Sequence, residues 1–353
     1  MANSAQASNL RGFLWSMGRC GTKAIWDTIN TCTTGEMPSW VDTVQFVESP
    51  DYFLQLYSRP FVLALHLPHH THAYQTLLQD HPHLPVVMAV RDPLPNIKSY
   101  AKVFLTSYVS RRIDEVARTL ACGGTIIGSI NPAAIDQWLM PMIDYWRHWS
   151  IIEKSPHRIV DLTDLDEMRF GTTLTEITDL FRLDRTTPIA WTGIGNTEID
   201  SFLLSYRREL PLLGRKIELY FTRWRNFWPE PGLVTLGTLR SPLLDPLIGP
   251  DEYLFVHARA DKLLSWGGIE REREALGLIL GHPELSQMIA AVVIEDHALV
   301  TGMVGNELDE FQNVLIAKFN ASYRSGVERF LQAHPWLQER WSSVSLGKTT
   351  SRI

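Results

Sequence analysis

Residues Phe13–Ile29 read FLWSMGRCGTKAIWDTI, and the fold turns on how this stretch is parsed. Phe13, Leu14 and Trp15 form a short apolar run suited to a buried strand. Ser16-Met17-Gly18-Arg19-Cys20-Gly21-Thr22 then turns, and Ile25, Trp26 and Ile29 recur at helical spacing. A strand, a glycine-bearing turn and a helix start gather backbone N–H groups around an anion, because the leading amides of a helix are unpaired and face the turn. Gly18 and Gly21 would let that anion approach, Arg19 and Lys23 add positive charge, and Thr22 adds a hydroxyl. The stretch reads as a phosphate or sulfate cradle. It is not the nucleotide triphosphatase loop: only two residues separate Gly18 from Gly21, and Gly-Thr-Lys replaces Gly-Lys-Thr.

Outward from the turn, Phe61–Leu67 (FVLALHL), Val86–Val90 (VVMAV) and Arg158–Leu162 (RIVDL) read as further strands. Helical patterns fall between them. Phe53–Tyr57 and Tyr74–Gln79 are short. A longer helix after Pro93 carries Ile97, Tyr100 and Phe104 on one face, and another stretch with Ile113, Val116 and Leu120 stops at Gly123-Gly124. Trp138–Trp149 reads as one aromatic helix. Thr173-Leu174-Thr175-Glu176 reads as a capping box opening another. The alternation predicts an α/β fold with three layers and a mostly parallel central sheet. Ligands bind such sheets at the carboxyl ends of the strands. The Gly18–Thr22 turn, His66 and Arg91 would meet at that edge.

Past residue 185 the strand signal fades. Ser205–Trp228 holds six basic residues (Arg207, Arg208, Arg215, Lys216, Arg223, Arg225) and reads as a solvated face. Leu233–Pro250 is loop-like, and from Asp251 the pattern is mostly helical. The expected division is an α/β core carrying the anion cradle over residues 1–235 and a helical C-terminal region over residues 236–353.

The 353 residues are 45% hydrophobic and 20% charged, enough for one large core or two modest ones. A net charge of −6 argues against a general nucleic-acid binder. MANSAQASNL lacks the layout of a signal peptide, and the apolar run Met288–Ile294 is too short to span a bilayer. Cys20, Cys32 and Cys122 make neither a disulfide framework nor a metal spacing. His66, His69, His70 and His72 cluster without carboxylate or thiolate companions, so no metal is expected there. The expectation is a soluble, cytoplasmic protein without a membrane span.

Three separated segments together resemble the sulfotransferases that use 3′-phosphoadenosine 5′-phosphosulfate (PAPS). Gly18-Arg19-Cys20-Gly21-Thr22-Lys23 is similar to their 5′-phosphosulfate loop. Arg91-Asp92-Pro93, with Ser99 eight residues on, resembles their 3′-phosphate motif. His66-Leu67-Pro68 resembles the strand end that supplies the catalytic His of the cytosolic branch. The likeness covers about residues 11–185. It departs at Ala64, where that branch has a basic residue, at Cys20, where Ser is common, and at Leu162, where a Tyr often touches the adenine. The family's late Arg-Lys-Gly piece is echoed only by Arg215-Lys216-Ile217.

The resemblance implies in-line transfer of a sulfuryl group to a hydroxyl or amine of a small molecule or glycan. Arg19 and Lys23 would stabilise developing charge, Thr22 would bond the 5′-phosphate, and Arg91 with Ser99 would hold the 3′-phosphate. His66 would act as base, with no metal required. The negative charge of the chain disfavours a highly anionic polysaccharide as acceptor. The C-terminal helices would cap the acceptor site or form a homodimer interface. Two alternatives stand beside this reading: an ATP- and magnesium-dependent phosphotransferase with a divergent loop, and a nucleotide-binding module without catalysis.

Overall fold

A computed structural model describes residues 9–38, 57–65, 71–191, 197–223, 232–263 and 269–341. The chain separates into two compact units, each discontinuous in sequence. The first comprises residues 1–100, 131–195 and 313–353, the second residues 101–130 and 196–312.

The first unit is α/β. Its strands β1 (Leu10–Ser16), β2 (Phe61–Leu65), β3 (Val86–Val90) and β4 (His157–Asp161) form a parallel sheet in the order β2-β1-β3-β4. Phe13 lies opposite Leu63 on one side and Val86 on the other, and Val90 lies opposite Asp161. Every residue of β3 is buried, as expected of a strand covered on both faces. The helices α1 (Thr22–Cys32) and α2 (Thr71–Asp80) punctuate the strands, and α3 (Pro93–Ser110) follows β3. The chain moves from β1 outward to β2, then crosses back to the far side of β1. The strand order therefore reverses between β1 and β3, the switch point at which open α/β sheets bind ligands. The predicted strand residues 66 and 67, and the predicted helix at 53–57 except Tyr57, lie outside the described residues.

Two local expectations are corrected. The helix expected from Thr173 is α6 (Phe170–Leu180), with Thr173 buried inside it. Its apolar stripe already begins at Phe170, and the Asp166 side chain and carbonyl take the amides of Arg169 and Phe170. The capping box lies elsewhere, between Asp161 and Asp164 at the turn Leu162–Leu165. The single helix expected over Trp138–Trp149 is broken into a π-helical turn Ile135–Leu139, a 3-10 turn Met140–Ile143 and α5 (Tyr145–Ile152). Pro141 brings no amide to a continuous helix, and Asp144 starts the new one by accepting the Arg147 amide at 3.1 Å.

The second unit contains a sheet where none was expected. Here β5 (Arg207–Leu212), β6 (Arg215–Thr222), β7 (Leu233–Leu239) and β8 (Leu254–Arg259) run antiparallel in the order β5-β6-β8-β7. Residues 235 and 236, where the boundary was expected, fall within β7. Leu213 and Gly214 join β5 to β6 with positive φ at both positions, the backbone of a tight hairpin. Residues 207–212 and 215–222 of the basic run are thus strand, and Arg207, Arg208 and Arg223 are paired with carboxylates, whereas Lys216 is exposed and Arg225 lies outside the described residues. Arg207 donates to the Arg111 carbonyl at 2.9 Å and faces Glu218, and Arg208 lies 2.6 Å from Asp114 and 3.4 Å from Asp296.

The remaining helices of the second unit include α4 (Ile113–Ala121), α7 (Thr197–Leu203) and α8 (Ile269–Gly281). The 40-residue α9 (Pro283–Ser322) enters the first unit's residues at Asn313, and α10 (Arg324–Ala333) follows. By length and composition α9 could cross a membrane, which the apolar run read alone did not suggest. Within the second unit its buried face carries two partnered carboxylates. Asp296 accepts the Tyr206 hydroxyl at 2.8 Å, and Glu307 takes the amides of Ile126 and Ile127 at 2.7 and 2.9 Å.

Candidate anion site at the switch point

The first candidate residues follow β1. Ser16 Oγ accepts the Gly18 amide at 2.9 Å and bonds the Thr22 hydroxyl, drawing the turn into a loop. Gly18, Arg19 and Gly21 all have left-handed backbone, with φ of 69°, 53° and 82°. The glycines also serve packing. A Cβ on Gly18 would collide with the Tyr100 hydroxyl, which donates to the Met17 carbonyl from below the loop. A Cβ on Gly21 would meet Leu162 and Leu165. The room left by their missing side chains is filled by protein, so it is not itself the approach path for a ligand.

No side chain caps α1 among the described residues. The helix closes on the Gly21 carbonyl through the Ala24 and Ile25 amides. Its positive end therefore points at the turn, as anion sites require. Cys20 is wholly buried, its thiol donates to the Gly18 carbonyl at 2.9 Å, and burial pushes its pKa far up. The thiol is a neutral packing group, and what Cys20 can offer an anion is its amide. Lys23 Nζ is bonded to Asp27 one turn along α1 at 2.6 Å.

The second group follows β3. Arg91 leaves the strand end, and its Nη1 lies 3.5 Å from the Arg19 carbonyl. Asp92 accepts the Leu94 amide at 3.3 Å at the start of α3. Two turns into that helix, Ser99 Oγ accepts from Arg19 Nε at 3.2 Å. Arg19, Arg91 and Ser99 are thus brought together at the switch point, on the carboxyl side of the sheet. Two guanidinium groups, a hydroxyl and a helix N-terminus can bind a doubly charged tetrahedral anion.

The other candidates stand in the second unit or outside the described residues. His66, the expected base, is outside the described residues. Arg215 and Lys216 stand on β6 in the second unit, where Arg215 Nη1 donates to the Lys262 carbonyl at 3.4 Å. A cavity of about 520 Å³ in the first unit is lined by Gly171, Thr175, Arg185 and neighbours, none of which belongs to this edge.

Several residues of the edge were not singled out in the sequence. Asn96 is fully buried in α3 and donates to Cys20 Sγ at 3.8 Å and to Tyr145 Oη at 3.4 Å. Tyr145 in turn donates to the Arg91 carbonyl. Asp161, at the end of β4, accepts from the Thr163 amide at 3.0 Å and from Trp341 Nε1 at 2.7 Å. Under β1, His148 accepts the Trp15 indole N–H at Nδ1 (3.1 Å) and sits 2.9 Å from the Pro141 carbonyl at Nε2. Burial drives its pKa down to about 4, so it is a neutral structural histidine with the proton on Nε2. An Asn three residues after the Arg91-Asp92-Pro93 turn, inside an apolar helix face, was the one available sequence signal.

No protein-family model matches the chain, and no curated protein matches it significantly.

Proposed function

We propose that the chain is a PAPS-dependent sulfotransferase acting on a hydroxyl or amine of a small molecule or glycan. The observation that carries this reading is the meeting of Arg19 with Arg91 and Ser99, 72 and 80 residues further along the chain, at the β1/β3 switch point. Three side chains chosen for their resemblance to two different phosphate motifs are neighbours in space. PAPS, when bound, supplies the sulfuryl group. Arg91 and Ser99 would hold its 3′-phosphate, and Arg19, the loop amides, Thr22 and Lys23 its 5′-phosphosulfate. Cation and amide donors fixed in advance are the larger part of what such a transfer asks of a protein. The Arg19–Ser99 bond would then be exchanged for phosphate oxygens. His66 is the base that the resemblance assigns, and the nucleotide reading does not depend on it.

Isothermal titration with PAP, the desulfated product, tests the reading, with ATP plus Mg²⁺ as comparison. Micromolar or tighter PAP binding is expected, weakened at least about tenfold by Arg91→Ala, the worth of a charge-assisted hydrogen bond. Mg²⁺-dependent ATP binding without PAP binding would replace this reading by a phosphotransferase.

A further inference from the structure

We infer that Tyr145 and Trp341 are positioning residues for Arg91: they fix its backbone so that its guanidinium is presented to the ligand. The inference rests on the reading above that Arg91 holds the nucleotide's 3′-phosphate. Arg91 directly follows β3, where the ladder with β4 ends at Val90 and Asp161. Its carbonyl therefore needs a partner from outside the sheet, and the Tyr145 hydroxyl supplies it. Asn96 donates to the Tyr145 hydroxyl oxygen, so the hydroxyl is held as a donor toward Arg91.

The Tyr145 ring is fully buried and is wedged from its other side. Trp341 meets it edge-on at 5.4 Å and 71°, and Phe330 of α10 lies 5.7 Å away. Trp341 is itself anchored. It is 1% exposed, its indole N–H bonds Asp161 at 2.7 Å, and neighbouring Arg340 pairs with Asp164 at 2.6 Å. One aromatic wedge is thus tied to the end of β4 through Asp161 and to the residue after β3 through Tyr145. Arg91 continues the chain of contacts, because its Nη1 bonds the carbonyl of Arg19. A shift of Tyr145 would move the Arg91 backbone and slacken the loop that shares its guanidinium.

Tyr145→Phe removes one oxygen and keeps the wedge, and Trp341→Phe removes the Asp161 bond and thins the wedge. Each is titrated with PAP and with adenosine 5′-phosphate, which lacks the 3′-phosphate, alongside wild type and Arg91→Ala. Tyr145→Phe should weaken PAP about tenfold, the scale of one lost hydrogen bond, with adenosine 5′-phosphate within about twofold of wild type. Trp341→Phe should shift the same ratio in the same direction. A purely structural role would lower both affinities together, and that result would overturn the inference. So would unchanged PAP affinity in both variants while Arg91→Ala loses it. If wild type does not bind PAP at all, the nucleotide reading fails first and this inference falls with it. Should Tyr145→Phe not fold, Trp341→Phe alone decides by the same ratio.

Discussion

Arg19 Nε stands 3.2 Å from Ser99 Oγ, joining the turn after β1 to the second turn of α3. Arg19 reaches it from a left-handed backbone, φ 53°, a conformation that costs a residue with a side chain about 1 kcal/mol or more. Strain of that kind persists only where the surroundings enforce it. Here the Ser99 hydroxyl holds the Arg19 side chain and the Arg91 guanidinium holds its carbonyl.

Ser99 can therefore be separated from Arg19 by mutation. Ser99→Ala should weaken PAP about five- to tenfold, and Arg19→Ala by about a hundredfold, since it removes a charge as well as donors. Both should leave the unfolding temperature nearly unchanged. Titration calorimetry with a thermal melt checks the pair, and equal losses in the two variants would count against distinct roles.

Gly18 answers to packing as much as to ligand. Gly18→Ala should destabilise the protein by about 2–5 kcal/mol, adding the left-handed penalty to overpacking against Tyr100. Gly123→Ala is the control: its φ is 78°, but its Cβ would meet nothing within 4 Å, so about 1 kcal/mol is expected. Urea unfolding of the two variants gives the comparison, and equal costs would show that Tyr100 yields readily.

His148 predicts an acid-side loss of stability. Its folded pKa is about 4, against 6.5 for an ordinary imidazole, so the unfolded chain binds the proton more readily between those values. The stabilisation is full above pH 6.5 and is lost as pH falls toward 4, to the extent of about 3 kcal/mol. His257, held between Thr222 and Thr235 in the second unit, has its pKa lowered to about 4 by burial and contributes with the same sign. Thermal melts from pH 7 to pH 4 should show the decline, with a shallower slope for His148→Gln. A slope unaltered by that change would place the proton uptake elsewhere.

The parallel sheet was legible because β1 and β3 are buried on both faces and so read as continuous apolar runs ended by turn residues. The turn at Gly18–Thr22 and the Arg91 strand end were legible for the same reason. The second sheet was hidden because Arg208 and Arg223 satisfy their charges with carboxylates on other elements. Asp114, Asp296 and Asp200 stand far away in sequence, and a single-sequence pattern shows the charge without its partner. Tyr145 and Trp341 were hidden in the same way. A lone aromatic residue reads as core, and only the structure shows the Tyr145 hydroxyl on the Arg91 carbonyl and the Trp341 indole on Asp161.

The 180 residues between Asp161 and Trp341 also set a timetable. At about 5–20 residues per second, translation delivers the tryptophan on the order of ten to thirty seconds after the aspartate. Through that interval β4 can join the nascent sheet, but the wedge against Tyr145 has not yet been synthesised. The last stretch of the first unit emerges only after every residue of the second. Biogenesis thus passes through a sheet that lacks its aromatic wedge, and a nascent chain stalled before Trp341 should hold its first unit in a protease-sensitive form.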